Sequence, residues 1–80
     1  MQFIFHKRAK KTLCKYPKHI QQRIYTAISY LPEEGDVKRM KGKNTPSLYR
    51  LRVGDFRVVY SIEKELITIV KIDSRGDIYK

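Results

Sequence analysis

The sequence predicts an α+β fold: a small antiparallel sheet packed on an N-terminal helical hairpin, in the order β-α-α-β-β-β. Apolar residues recur at helical spacing from Ala9 to Leu31 and alternate with period two from Leu48 to Ile72. That change of period marks the passage from helix to strand. Pro17, Pro32 and the Gly54-Asp55 pair fall at the joins, where helix breakers and turn formers belong.

Each element has a local reason. The opening QFIF, Gln2–Phe5, reads as a short strand. HKRAKKTLCKY then places Ala9, Leu13 and Tyr16 on one helical face and its basic residues on the remaining arc. Pro17 lacks a backbone donor and disfavours helical geometry at Tyr16, so the helix breaks there. Proline is well tolerated in the first turn of a following helix. KHIQQRIYTAISYL lines up Ile20, Ile24, Ala27, Ile28 and Leu31, Leu31-Pro32 ends it, and PEEGD is a turn. Val37–Ser47 is expected to be irregular and basic, with Lys38, Arg39, Lys41 and Lys43. SLYRLRV, FRVVYSIE and LITIVKID read as three strands.

Gly54-Asp55 suits a two-residue hairpin turn, and this sets the register. Val53 faces Phe56, Arg52 faces Arg57, Leu51 faces Val58, Arg50 faces Val59 and Tyr49 faces Tyr60. Tyr49, Leu51, Val53, Phe56, Val58 and Tyr60 then share the core face, while Arg50, Arg52 and Arg57 share the other. With Glu63-Lys64-Glu65 as a three-residue turn, Leu66, Thr68, Val70 and Ile72 face the core, and Lys71, Asp73 and Arg75 join the arginine side. A two-residue turn reverses that assignment.

Eighty residues make one domain spanning 1–80. So short a chain has a small core, with little room for a deep cofactor pocket, and no cofactor is expected. Cys14 is the single cysteine, so no intrachain disulfide forms, which suits a cytoplasmic protein. The N-terminus has only a three-residue apolar patch before charge begins. Neither a signal peptide nor a membrane span is expected. Eighteen Lys and Arg against eight Asp and Glu give a net charge of +10. Residues 1–31 hold Lys7, Arg8, Lys10, Lys11, Lys15, Lys18 and Arg23 and no acid. Such a field attracts nucleic acid or an acidic protein.

The three hairpin arginines sharpen that expectation. Directly opposed like charges destabilise a strand pair by a few tenths to about 1 kcal/mol, and within the hairpin nothing offsets them, because Asp55 sits in the turn. The plain alternative is a solvated basic face whose stems shield the sheet. Lysine would serve that purpose equally well, whereas the planar guanidinium fork matches phosphate.

LYRLRVGDFRVVYSI followed by IVKIDSRGDIY resembles the core of the RelE/ParE superfamily, the toxins of type II toxin–antitoxin systems, and the resemblance runs over essentially the whole chain. It implies a RelE-like fold and a metal-independent, ribosome-dependent endoribonuclease. Such an enzyme cuts messenger RNA in the A site by attack of the ribose 2′-OH on the scissile phosphate and so inhibits translation. On this resemblance the catalytic set is Arg50, Arg52, Arg57, Arg75 and Tyr79. Arg57 clamps the phosphorane, Arg50 and Arg75 hold the neighbouring phosphates, and Arg52 helps at the reacting centre. Tyr79 stacks on a base or activates the 2′-OH. Lys7, Lys10, Lys11, Lys15, Lys41 and Lys43 would contact ribosomal RNA. Implied partners are the ribosome, messenger RNA and a cognate acidic antitoxin, with the toxin monomeric alone and hetero-oligomeric with the antitoxin. Arginine cannot accept a proton near neutrality, so the base is not among the arginines. Relatives often carry Gly-His before the terminal arginine, where this chain has Asp73-Ser74. Two other functions fit less of the pattern: a ParE-like DNA gyrase inhibitor and a catalytically weak basic RNA-binding module.

Other candidates carry less. His6 and His19 start different helices and have no placed partner for acid–base work. Two histidines and one cysteine are too sparse for a metal site. Cys14 is expected at the core or its boundary. Tyr16, Tyr25, Tyr30, Tyr49 and Tyr60 are expected in packing, and Gly42 is a loop hinge without phosphate-loop spacing.

Overall fold

In the computed structural model the elements run β1 (Gln2–Phe5), α1 (Lys7–Cys14), α2 (Lys18–Ser29), β2 (Asp36–Arg39), β3 (Leu48–Val53), β4 (Phe56–Glu63) and β5 (Leu66–Ser74). The structure describes residues 2–31, 33, 35–40 and 48–74, with Asp36 described by its backbone alone.

The strands form one sheet in the order β1-β5-β4-β3-β2. β2 through β5 are antiparallel neighbours. β1 lies parallel to β5, with Phe3 opposite Ile67 and Phe5 opposite Ile69. The α+β class and the helical hairpin are as expected, but the sheet is mixed at one edge. The two helices separate β1 from the later strands, so its partner is the last strand rather than a hairpin neighbour. The second difference is β2, in a stretch expected to be irregular. Its sequence DVKR has no apolar alternation to announce a strand, and charged residues on a short outer strand discourage pairing with other chains.

α1 buries Ala9 and Leu13 completely, one turn apart on one face. Eight residues cannot hold a helix alone in water, so this packing sustains it. Its local signals are weak: the His6 imidazole Nδ1 accepts from the Arg8 N–H at a long 3.4 Å, and the first turn has no acid. Pro17 occupies the cap position of α2. The Gln21 side-chain amide donates to the Tyr16 carbonyl at 2.8 Å and ties the corner between the helices. α2 buries Ile24 and Ile28. It stops at Ser29, slightly before the expected end, and Leu31 still reaches the core at 3% exposure.

Both helices cover one face of the sheet, where Leu51, Val53, Phe56, Val58, Tyr60, Ile67, Ile69 and Ile72 are buried with them. Tyr16 packs on Phe56 with ring centroids 4.9 Å apart. Gly35 has φ +133°, and a Cβ there would lie 2.8 Å from the buried Leu51 Cδ1. Only glycine lets the chain turn into β2 so close to the core.

The β3–β4 register is the expected one throughout, from Val53↔Phe56 to Tyr49↔Tyr60. The β4–β5 turn differs. Glu63 pairs Leu66, so the turn is the two residues Lys64 and Glu65, with Lys64 at φ 56°. Ile67 and Ile69, rather than Leu66, Thr68 and Val70, therefore face the core. Pairing then jumps from Tyr60↔Ile69 to Val59↔Lys71. This bulge leaves Val70 unpaired and reverses the alternation. Ile72 returns to the core, and Lys71 and Asp73 reach the arginine side as expected.

Candidate functional site

The face of the sheet away from the helices carries the site. Two rows of residues cross it by register. One runs Lys38–Arg50–Val59–Lys71, the other Asp36–Arg52–Arg57–Asp73. Side chains on successive strands of such a row stand about 5 Å apart, so cations from four strands gather over a few residues' width.

Arg52 and Arg57 are directly opposed, and the sheet supplies the counter-charge that the hairpin lacks. Asp73, facing Arg57 across the β4–β5 pair, accepts from Arg57 Nε at 3.1 Å and from Nη2 at 2.9 Å. Lys71 Nζ approaches the same carboxylate at 3.6 Å. The hydrogen bond and the charge of Asp73 push the Arg57 guanidinium above its usual range against a smaller opposing effect of burial, so Arg57 stays charged under all ordinary conditions. With 43% of the Arg57 side chain exposed, the pair contributes on the order of 1 kcal/mol or less. Its main consequence is orientation, since a bidentate fork fixes the guanidinium plane.

Arg52 Nε donates to the Gly54 carbonyl at a long 3.5 Å, so its outer nitrogens remain for a ligand. No carboxylate among the described residues pairs with Arg50. Arg50, Arg52, Phe56 and Arg57 line a shallow cavity of about 230 Å³. An adjoining cavity of about 280 Å³ is lined by Lys38, Arg39, Met40, Arg50 and Arg57, and the shared arginines join the two into one cationic trough. A trough of guanidinium groups can hold the phosphates of a single strand.

The structure thus brings together Arg50, Arg52 and Arg57. Lys7, Lys10, Lys11 and Lys15 are exposed on or just after α1, on the opposite side of the sheet, and form a separate basic surface. Arg75, Tyr79, Lys41 and Lys43 lie outside the described residues. Sequence reasoning left Lys38 and Arg39 out of the site because their strand was not foreseen. It placed Asp73 on the right face without identifying it as the partner of Arg57; the signal available was an acid paired with an arginine across a strand. His6 caps α1 and His19 lines a separate groove along α2, so they do not meet. Cys14 is exposed rather than core, because the buried face of α1 is taken by Ala9 and Leu13. Among the described residues no group of three His, Cys, Asp or Glu could hold a metal. None of their helices is long and apolar enough to cross a membrane.

Comparison with known proteins adds a family. The family model described as the ParE toxin of the type II toxin–antitoxin system, parDE, matches residues 3–79. A Methanocaldococcus jannaschii protein named as a candidate toxin, RelE1, is 35% identical over 83 aligned residues, covering 94% of this chain and 90% of that protein. Among solved structures, the archaeal RelE–RelB complex from Pyrococcus horikoshii has a chain that is 32% identical. It superposes with a TM-score of 0.77 over 95% of this chain and 96% of its own. The RelB–RelE antitoxin–toxin complex from Methanococcus jannaschii has one 29% identical, with a TM-score of 0.76 over 95% and 94%.

Proposed function

The chain belongs to the RelE/ParE superfamily of type II toxin–antitoxin toxins, and from that premise we propose that it is a ribosome-dependent endoribonuclease that cuts messenger RNA in the A site. The observation that carries this reading is the cavity that Arg50, Arg52 and Arg57 line together on one rigid hairpin.

The chemistry suits such a site. Attack of a ribose 2′-oxygen on the adjacent phosphorus forms one P–O bond while the bond to the 5′-oxygen breaks. The products are a 2′,3′-cyclic phosphate and a 5′-hydroxyl. Charge accumulates on the equatorial oxygens, and fixed cationic donors aimed there stabilise it without reorganising. Arg57 is the clamp. Asp73 occupies its Nε–Nη2 edge, which leaves Nη1 and the second Nη2 hydrogen for phosphate oxygens. Arg52 assists at the reacting centre, and Arg50 holds a neighbouring phosphate together with Arg75. Tyr79 stacks on a base or activates the 2′-OH. The lysines Lys7, Lys10, Lys11 and Lys15, with Lys41 and Lys43, contact ribosomal RNA, whose phosphates need no sequence readout.

The structurally similar archaeal RelE chains were solved in complex with RelB. This chain is accordingly assigned an acidic antitoxin, drawn to its arginine face and basic helix by charge complementarity. The toxin is monomeric alone.

The test is cleavage-end mapping on messenger RNA with and without ribosomes. Arg57→Ala should lower cleavage about 10²- to 10³-fold, as loss of one transition-state donor does, with far-UV circular dichroism retained. Undiminished cleavage by the variant would sink the assignment. The matched model's description as ParE favours one second reading, DNA gyrase inhibition. Loss of supercoiling activity with transcripts left intact would establish that function instead.

A further inference from the structure

The arginine face supplies clamps for a phosphate, but arginines stay protonated and cannot take a proton from an attacking hydroxyl. Lys38 and Lys71 are cationic donors as well. Among the side chains the structure describes, Asp73 is the carboxylate hydrogen-bonded within this face, whereas Asp55 sits in the β3–β4 turn. Glu63 stands at the far end of β4, about 20 Å from Arg57 at the rise of an extended strand. Asp73 accepts both hydrogen bonds from Arg57, one on each carboxylate oxygen. Its side chain is 24% exposed and adjoins the trough through its partner Arg57, which lines both cavities.

Its position beside Arg57 matters more than its presence. In a near-attack arrangement the 2′-oxygen lies about 3–3.5 Å from the phosphorus. The group that holds the phosphate oxygens and the group that receives the hydroxyl proton must therefore stand side by side. The Arg57–Asp73 fork has this layout: free N–H groups on the arginine end, and on the aspartate end oxygens that each keep a further lone pair. Lys71, at 3.6 Å, balances the carboxylate charge.

We propose that Asp73 is the general base of the cleavage reaction, an inference that rests on the nuclease function proposed above. An Asp73 carboxylate oxygen takes the 2′-hydroxyl proton as the O2′–P bond forms. The P–O5′ bond breaks, the departing 5′-oxygen takes a proton from solvent, and Asp73 releases its own proton to solvent after product leaves. No oxidant, metal or further reactant enters the balance.

The test is single-turnover cleavage on programmed ribosomes between about pH 5.5 and about pH 8.5, with a 2′-deoxy substitution at the scissile nucleotide as the control for the nucleophile. The parent chain should cleave at a rate nearly independent of pH, because a built-in proton acceptor makes hydroxide unnecessary. Asp73→Asn should cleave about 10²- to 10⁴-fold more slowly at neutral pH. Its rate should climb about tenfold per pH unit, since hydroxide then replaces the missing base. Asp73→Glu should keep the flat profile at reduced rate. An Asp73→Asn profile parallel to the parent's overturns the proposal and leaves Asp73 only the task of holding Arg57. Undiminished cleavage by that variant overturns it as well. A parent chain that leaves the message intact is the failure of the nuclease reading itself, seen before any variant is assayed, and the base assignment falls with it.

Discussion

The Tyr60 ring is 1% exposed and stacks on Tyr49 with centroids 5.6 Å apart and planes inclined by 22°. Burial, and secondarily the charge Tyr49 would carry, push the Tyr60 hydroxyl above its usual 10.0. Below that value the hydroxyl is protonated in both folded and unfolded chains and adds no pH dependence. Above it the unfolded tyrosine ionises first, so stability falls by up to about 1.4 kcal/mol per pH unit until the folded group ionises too. Urea midpoints from neutral pH to about pH 11.5 should therefore fall more steeply for the parent than for Tyr60→Phe. Lysine ionisation affects both proteins alike and cancels in the comparison. Parallel alkaline slopes would show that the ring's burial has no consequence for its ionisation. At this scale the sequence was informative about pairs within one hairpin. The Arg52↔Arg57 opposition follows from two turn residues, but the Arg57–Asp73 ion pair depends on a second turn and a bulge.

At the scale of elements, α1 sets local electrostatics against its basic surface. Lys7 and Arg8 open the helix with no acid in the first turn, where the helix dipole favours negative charge. Burial of Ala9 and Leu13 offsets this. Lys7→Glu should stabilise the fold by about 1 kcal/mol, which for a domain of this size raises Tm by roughly 4–8 °C. If Lys7 faces ribosomal phosphate, the same variant should bind ribosomes more weakly, with a salt slope shallower by about 1. A thermal gain with unchanged ribosome affinity would remove Lys7 from that surface. The elements legible in sequence were those whose apolar period is long and whose ends carry Pro or Gly: the two helices and the β3–β4 hairpin. β2 was not legible because DVKR has no buried alternation. β5 was half legible, because in LITIV either parity is apolar, so hydrophobicity alone cannot choose the face. The bulge at Val70 then brought Lys71 and Asp73 to the arginine side.

At the scale of the molecule, two basic surfaces lie back to back across one thin core, the α1 lysines over the helical layer and the arginine trough over the bare sheet. The chain holds +10 within a radius of gyration of 12.1 Å, close to the roughly 11.6 Å of an ordinary 80-residue domain. The fold therefore persists against its own repulsion, and one small anion cannot relieve both sides. A polyanion that threads the trough, or two that sandwich the domain, can. Raising sodium chloride from about 20 mM to about 500 mM should raise Tm by screening this repulsion. At the low-salt end a short single-stranded RNA should raise Tm much further, because a ligand at about 100 times its Kd adds about 2.7 kcal/mol to stability. That extra gain should fade as salt rises, since each phosphate contact releases counterions. The double substitution Arg50→Gln, Arg52→Gln should keep the salt-driven rise and lose most of the RNA-driven one. Differential scanning of the two proteins across salt, with and without RNA, separates general repulsion from a built anion trough. An RNA-driven rise of equal size in both proteins would place the binding on the helical side and strip the sheet face of its assigned ligand.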